Sequence, residues 1–93
     1  MADADATRGR VITLTFIHRS GCHLCEAMWA ELDGIRASGE VEFDCIDLVR
    51  EPRLEERYGD SIPLLLHGDQ ELCRYFLDPS RVSAALEALK SAG

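Results

Sequence analysis

Two cysteines three positions apart, Cys22 and Cys25, are the residues of this sequence best suited to chemistry. They stand where an apolar, β-branched segment gives way to a stretch with helical periodicity. The first N–H groups of a helix have no partner within the helix, and the helix dipole favours negative charge there. Because only a thiolate attacks a disulfide, this position predicts a nucleophile at Cys22. Cys25 lies one turn later and can resolve a mixed disulfide by intramolecular attack.

Two other uses of the pair stay open at this point, namely half of a metal site and inert packing in a core. A zinc site needs further ligands, and the sequence has neither a second C-x-x-C nor an H-x-x-x-H motif. We therefore predict no metal ligand. The remaining cysteines, Cys45 and Cys73, fall in predicted strands, and Cys45 shares strand parity with Val41 and Phe43. We expect both to lie in the core as small apolar residues.

Length and composition bound the class of protein. The chain has 93 residues, which is enough for one domain, and its apolar runs are far shorter than the roughly 20 residues of a membrane span. Residues 1–10 lack the apolar segment of a secretory signal. We predict a flexible tail over residues 1–10, a single domain over 11–93, and a cytoplasmic location, where disulfides rarely serve as structural cross-links.

The formal net charge is −7, and the region 40–60 holds eight acidic residues against three arginines. This sign, without a stripe of lysine and arginine, excludes non-specific binding to nucleic acid and disfavours an anionic membrane surface. A charge run of this kind is usually a solvated face. The alternative is a docking surface for a basic partner.

The elements that must position the cysteine pair follow from hydrophobic periodicity. Strands are predicted at 11–17, 41–45, 62–66 and 72–76, and helices at 22–37, at 52–59 and from Asp78, the predicted N-cap before Pro79. The first helix should bury Leu24, Met28, Leu32 and Ile35, and the last Val82, Ala85, Leu86 and Leu89. The order β-α-β-α-β-β-α predicts an α/β fold. A right-handed crossover would join its first two strands in a four-stranded mixed sheet flanked by helices.

The sequence resembles glutaredoxins and the wider thioredoxin superfamily, and most of all small bacterial glutaredoxin-like proteins of undefined role. The resemblance covers residues 11–91. It rests on the run from Arg19 to Cys25, on Ile46-Asp47, on Tyr58-Gly59 and on Ser61-Ile62-Pro63. It implies a thioredoxin-like fold of the glutaredoxin type.

The same resemblance implies roles for three further residues. Pro63 would be a cis proline facing the cysteine pair, and Ile62 would offer backbone hydrogen bonds to an extended substrate. Arg19 stands where glutaredoxins often carry lysine, so its charge would stabilise the thiolate or bind a carboxylate of glutathione.

Two departures from the glutaredoxin pattern leave binding of glutathione open. Between the cysteines the chain has His23-Leu24 in place of Pro-Tyr, and the region 76–80 lacks the Gly-Gly pair that helps glutaredoxins bind glutathione. His23 is predicted to favour the thiolate as a neighbouring cation and to raise the reduction potential. The alternative is an exposed residue of the first helical turn.

Together these features predict a small dithiol–disulfide oxidoreductase that acts as a monomer. Its partner would be a disulfide-containing protein or glutathione, the latter as a co-substrate, with no tightly bound cofactor. Two alternatives stay open: a metal or iron–sulfur carrier that uses the same cysteines, and a redox-inactive interaction module whose binding face is the acidic region 40–60.

Overall fold

The computed structural model describes residues 11–37 and 39–92, so the tail predicted over residues 1–10 lies outside the described residues. Within these ranges the chain forms four strands, three α helices and one short 3-10 helix at Leu48–Arg50. In chain order the strands and α helices are β1 (Ile12–His18), α1 (His23–Arg36), β2 (Val41–Asp47), α2 (Pro52–Tyr58), β3 (Leu64–His67), β4 (Gln70–Arg74) and α3 (Pro79–Ala92). The predicted order of elements and the mixed α/β fold are confirmed.

The sheet has the strand order β2-β1-β3-β4. β1 and β2 are parallel, with Ile12 opposite Val41 and His18 opposite Asp47, whereas β3 and β4 continue the sheet antiparallel. Because parallel strands end at the same edge, the loop that follows β1 begins beside Asp47. This edge carries the cysteine pair.

The helices lie on both faces of the sheet and divide the core in two. On one face, α1 and α3 contribute Met28, Leu32 and Val82 to a cluster with Leu14, Phe16, Cys25, Val41, Leu65, Leu72 and Cys73. On the other face, Leu48 of the 3-10 helix packs with Ile17, Leu64 and Leu66, and α2 covers this second cluster. Full burial of one such side chain stabilises the fold by roughly 1.5–3 kcal/mol. Within the described ranges, no helix combines the length and apolar character that crossing a membrane requires.

The predicted bounds of the two strands in the β3–β4 hairpin differ from those in the structure. The apolar runs placed strands at 62–66 and 72–76, but β3 and β4 cover Leu64–His67 and Gln70–Arg74. β4 ends early because Tyr75 has a φ of 69° and donates its amide to the carbonyl of Pro63 at 2.8 Å. A backbone with this positive φ cannot continue a strand. Phe76 is consequently left 70% exposed.

The buried stripe of α1 also differs from the prediction. Leu24 is 42% exposed, and Cys25 occupies the buried position at this end of the helix, ahead of Met28 and Leu32. The spacing of apolar residues is compatible with burial of either Leu24 or Cys25 at this end of the helix. In the structure the helix begins at His23, and Cys25 faces the sheet. In α3 the predicted start is confirmed, since the carboxylate of Asp78 accepts a hydrogen bond from the amide of Arg81 at 3.1 Å.

Candidate functional site

Cys22 and Cys25 are joined by a disulfide, with their Cα atoms 5.2 Å apart. Cys22 is the N-cap of α1, and its Sγ accepts a hydrogen bond from the amide of Cys25 at 3.1 Å. An N–H group directed at this sulfur would favour negative charge on it once the disulfide is reduced. Cys22 is half-buried, whereas Cys25 is 3% exposed. The arrangement therefore makes Cys22 the accessible sulfur and Cys25 the internal one.

A tight turn delivers Cys22 to this position. The amide of Cys22 donates to the carbonyl of Arg19 at 3.2 Å, and Gly21 between them has a φ of 84°. Glycine adopts this left-handed conformation readily, whereas a side chain would be strained. The turn lets Cys22 take up the extended conformation of an N-cap, with φ −88° and ψ 112°.

A carboxylate from the neighbouring parallel strand holds the same turn. The Oδ2 of Asp47 accepts the hydroxyl of Ser20 at 2.5 Å, and its Oδ1 accepts the amides of Ser20 at 3.3 Å and Val49 at 3.0 Å. The Ser20 hydroxyl bond, followed by the Val49 amide bond, lowers the pKa of the Asp47 carboxyl. Sequence reasoning noted Ile46-Asp47 only as part of a resemblance. The signal available was the position of Asp47 at the end of the strand parallel to β1.

Arg19 lies on the turn and forms an ion pair with Glu55 of α2. The sequence predicted that its charge would serve the thiolate or a glutathione carboxylate, and these roles stay predictions. In the structure one amine group of the guanidinium, Nη2, contacts the Glu55 carboxylate. The pair ties the turn to the helix that covers the opposite face of the sheet. Glu55 was not among the residues expected at the site.

The side chain of His23 is 98% exposed and therefore points into solvent. Its Nδ1 lies 3.5 Å from a carboxylate oxygen of Glu26, in the same helical turn. Its predicted effect on the thiolate stays a prediction. Any charge on the imidazole would be offset by Glu26 and screened by solvent.

The peptide bond between Ile62 and Pro63 is cis. Pro63 is buried, and Ile62 packs against the core clusters on both faces of the sheet. Cys22 borders the cluster on the α1 face as well. The carbonyl of Pro63 accepts a hydrogen bond from the amide of Tyr75. This bond holds the chain just after β4 beside the Ile62-Pro63 segment.

The prediction that Cys45 is buried was wrong, because the structure leaves it exposed. The predicted face of the sheet was right, because Cys45 lines a cavity of about 350 Å³ together with Phe16, Cys25 and Trp29 on the α1 face. Although the residue is exposed, partial desolvation of the thiol, followed by the charge of Asp44, raises the Cys45 pKa.

Cys73 lies in the core as predicted, and burial raises the pKa of its thiol. Neither Cys45 nor Cys73 completes a metal site with the cysteine pair. In the part of the chain that the structure describes, no three side chains of His, Cys, Asp or Glu are grouped so that they could hold a metal ion.

Comparison with known proteins agrees with this fold and site. The family model of the glutaredoxin-like domain (DUF836) matches residues 13–87. The chain is 36% identical to protein Ne2328 from Nitrosomonas europaea, whose solution structure superimposes with a TM-score of 0.65 over 78% of this chain and 88% of that one.

More distant solved structures share the fold alone. Thioredoxin 1 from Thermosipho africanus is 17% identical, with a TM-score of 0.54 over 87% of this chain and 93% of that one. The germline-specific thioredoxin Deadhead from Drosophila melanogaster is 18% identical, with a TM-score of 0.56 over 95% and 89%. The expected thioredoxin-like fold is confirmed. No protein of curated function matches the chain.

Proposed function

The chain belongs to the glutaredoxin-like family of thioredoxin-fold proteins, and we propose that it is a small dithiol–disulfide oxidoreductase. Its substrates would be protein disulfides or mixed disulfides of glutathione. The observation that carries the proposal is the position of Cys22 as the N-cap of α1, with its Sγ accepting the Cys25 amide and Cys25 buried behind it.

The reaction begins with the reduced pair. The Cys22 thiolate attacks one sulfur of a substrate disulfide, so a bond from Cys22 to that sulfur forms, the substrate S–S bond breaks, and the released thiolate takes a proton from solvent. Cys25 then loses its proton and attacks the sulfur of Cys22. The bond from Cys22 to the substrate sulfur breaks, the second substrate thiolate leaves and takes a proton from solvent, and the Cys22–Cys25 disulfide forms. Two electrons and two protons reach the substrate, and the dithiol is oxidised.

The proposal needs no tightly bound cofactor, because the two sulfurs hold both electrons that are transferred. We assign Ile62 and Pro63 to the substrate groove beside the pair, on the strength of the family resemblance. We also propose a cytoplasmic setting, because Cys45 and Cys73 are free cysteines outside the reactive pair, and unpaired thiols of this kind persist in reducing compartments.

Cysteine variants test the mechanism directly. With dithiothreitol as the electron source, Cys22→Ser should lower the rate of reduction of a peptide disulfide to that of dithiothreitol alone. Cys25→Ser, reduced and then freed of dithiothreitol, should accumulate a protein–substrate mixed disulfide that mass spectrometry detects. Cys45→Ser is the matched control and should keep the wild-type rate, because it removes an exposed thiol outside the pair. A Cys22→Ser protein that reduces the substrate at the wild-type rate would refute the proposal.

A further inference from the structure

Exposed apolar side chains gather beside the cysteine pair. Across the described residues, four large apolar side chains are exposed, and three of them, Leu24, Tyr75 and Phe76, line one groove of about 230 Å³. The fourth, Val49, does not line this groove. The groove is smaller than the roughly 300–1,000 Å³ typical of sites for whole small molecules. Its size suits one or two side chains of a larger partner.

One wall of the groove is a face of α1. The lining residues follow helical spacing from Leu24, which stands between the two cysteines, to Glu31, with Ala27 and Met28 between them. At 1.5 Å per residue, Leu24 and Glu31 are about 10 Å apart along the helix axis. The groove therefore starts at Leu24, which lies between the two cysteines in the chain, and runs along α1 toward Glu31.

The opposite wall is the segment from Tyr75 to Leu77, which is held in place by hydrogen bonds. The Tyr75 amide donates to the Pro63 carbonyl at 2.8 Å, and its hydroxyl donates to the Asp60 carbonyl at 2.7 Å. The amide of Phe76 donates to the Arg74 carbonyl at 2.8 Å. These bonds keep the apolar wall formed without a partner. A fixed apolar patch beside a reactive group is typical of an interaction site.

The charge around the groove distinguishes between the two substrate classes. Among the lining side chains that the structure describes, Glu31 is the one carboxylic acid, and none is a lysine, arginine or histidine. Glu31 lies at the end of the groove far from the cysteines. Glutathione carries two carboxylates and one ammonium at neutral pH, so an acidic groove repels it. Arg19, the cation of the turn before Cys22, is paired with Glu55.

We propose that this groove binds an extended segment of a substrate protein, with an apolar residue beside the reacting cysteine and a lysine or arginine further along. The apolar side chain sits between Leu24 and Phe76, and the basic side chain meets Glu31. An extended chain rises about 3.3 Å per residue, so the basic residue stands about three residues from the apolar one. The proposal rests on the oxidoreductase function and names its substrate as polypeptide rather than glutathione.

Three probes with a common leaving group test the assignment. Each carries thionitrobenzoate as a mixed disulfide: a peptide with leucine beside its cysteine and lysine three residues beyond, the same peptide with glutamate for lysine, and glutathione. Both peptides are made in both chain directions. The reduced protein is mixed with each probe, and the release of thionitrobenzoate gives the rate of the first thiol exchange.

The lysine peptide should react about threefold faster than the glutamate peptide, which is the size of a partly exposed ion pair. It should react about tenfold faster than glutathione, because burial of one apolar side chain adds to that preference. Phe76→Ala should slow both peptides about fivefold and leave glutathione unchanged. Glu31→Lys should reverse the order of the two peptides. Val49→Ala, which truncates the exposed apolar residue outside the groove, should change nothing.

Two failures have different meanings. If the reduced protein reacts with every probe but neither Phe76→Ala nor Glu31→Lys alters the relative rates, the groove assignment is wrong and the oxidoreductase proposal stands. If the reduced protein releases thionitrobenzoate from none of the probes, the oxidoreductase proposal fails and the groove assignment fails with it.

Discussion

The hydroxyl of Ser20 donates a hydrogen bond of 2.5 Å to the carboxylate of Asp47. Ser20 precedes the cysteine pair by two positions, and Asp47 is the last residue of the parallel neighbour strand β2. The same carboxylate also accepts the amide of Val49, at the start of the 3-10 helix. One acidic side chain therefore fixes the turn before Cys22 relative to the sheet.

Replacing this carboxylate should change how stability depends on pH. The pKa of Asp47 is lowered in the folded protein. Its carboxylate therefore stabilises the fold fully above the ordinary pKa of about 3.9, and this stabilisation is lost as the pH falls through the folded-state pKa. Asp47→Asn should therefore melt at a lower temperature than wild type at pH 6. The difference should shrink below about pH 4. Melting temperatures of both proteins, followed by circular dichroism from pH 6 to below about pH 4, measure this difference.

The matched control is Asp69→Asn, which neutralises an exposed carboxylate in the β3–β4 turn. It should leave the pH profile of the melting temperature close to that of wild type. Parallel profiles for wild type and Asp47→Asn would contradict the assigned role of the Ser20 hydrogen bond.

The ion pair between Arg19 and Glu55 should contribute little to stability. Both side chains are partly exposed, at 37% and 44%, so solvent screens their attraction. A double-mutant cycle of Arg19→Ala and Glu55→Ala should give a coupling of about 0.2–1 kcal/mol in urea unfolding, and high salt should reduce it. A coupling of several kcal/mol that salt leaves unchanged would be inconsistent with this exposure.

Two glycines should respond to alanine in opposite directions. Gly21 has a φ of 84° with open space around it, so Gly21→Ala meets no clash but should lose about 1–2 kcal/mol from backbone strain. Gly34 lies within α1, also in open space, and Gly34→Ala should gain about 0.5–1 kcal/mol. Free energies of unfolding in urea measure both. Equal effects of the two substitutions would show that the left-handed turn before Cys22 does not matter.

The two free cysteines should differ in reactivity. In the oxidised protein, iodoacetamide should label Cys45 and leave the buried Cys73 unmodified, as peptide mass spectrometry reports. Labelling of Cys45 should be slow at neutral pH and accelerate toward alkaline pH, because its pKa is raised. In denaturant both cysteines should react. Rapid labelling of native Cys73 would contradict its place in the core.

Local patterns were enough to predict the order of the elements and the place of the cysteine pair. Helix starts are encoded by short stretches of sequence, as with Asp78 before Pro79, so the structure agrees with the prediction there. The position of Cys22 at the start of α1 followed from the same kind of signal. The family resemblance supplied the thioredoxin-like arrangement of these elements.

Tertiary contacts decided what the patterns missed. Strand parity indicated which face of the sheet Cys45 occupies, but not that the side chain lines an open cavity there and is exposed. The apolar run at Tyr75 and Phe76 looked like a strand, and the hydrogen bond from Tyr75 to Pro63 ends the strand instead. Because these contacts join residues far apart in the chain, no window of neighbouring residues contains them.

The place of β2 at one edge of the sheet bears on how copies of this chain behave at high concentration. Its outward residues Glu42 and Asp44 are exposed. An antiparallel pairing of two copies centred on Phe43 would set Glu42 of each against Asp44 of the other, and like charges opposite each other weaken paired strands. The acidic excess around this edge therefore discourages strand addition and aggregation. Neutralising both residues would remove this repulsion and favour pairing of two copies through β2.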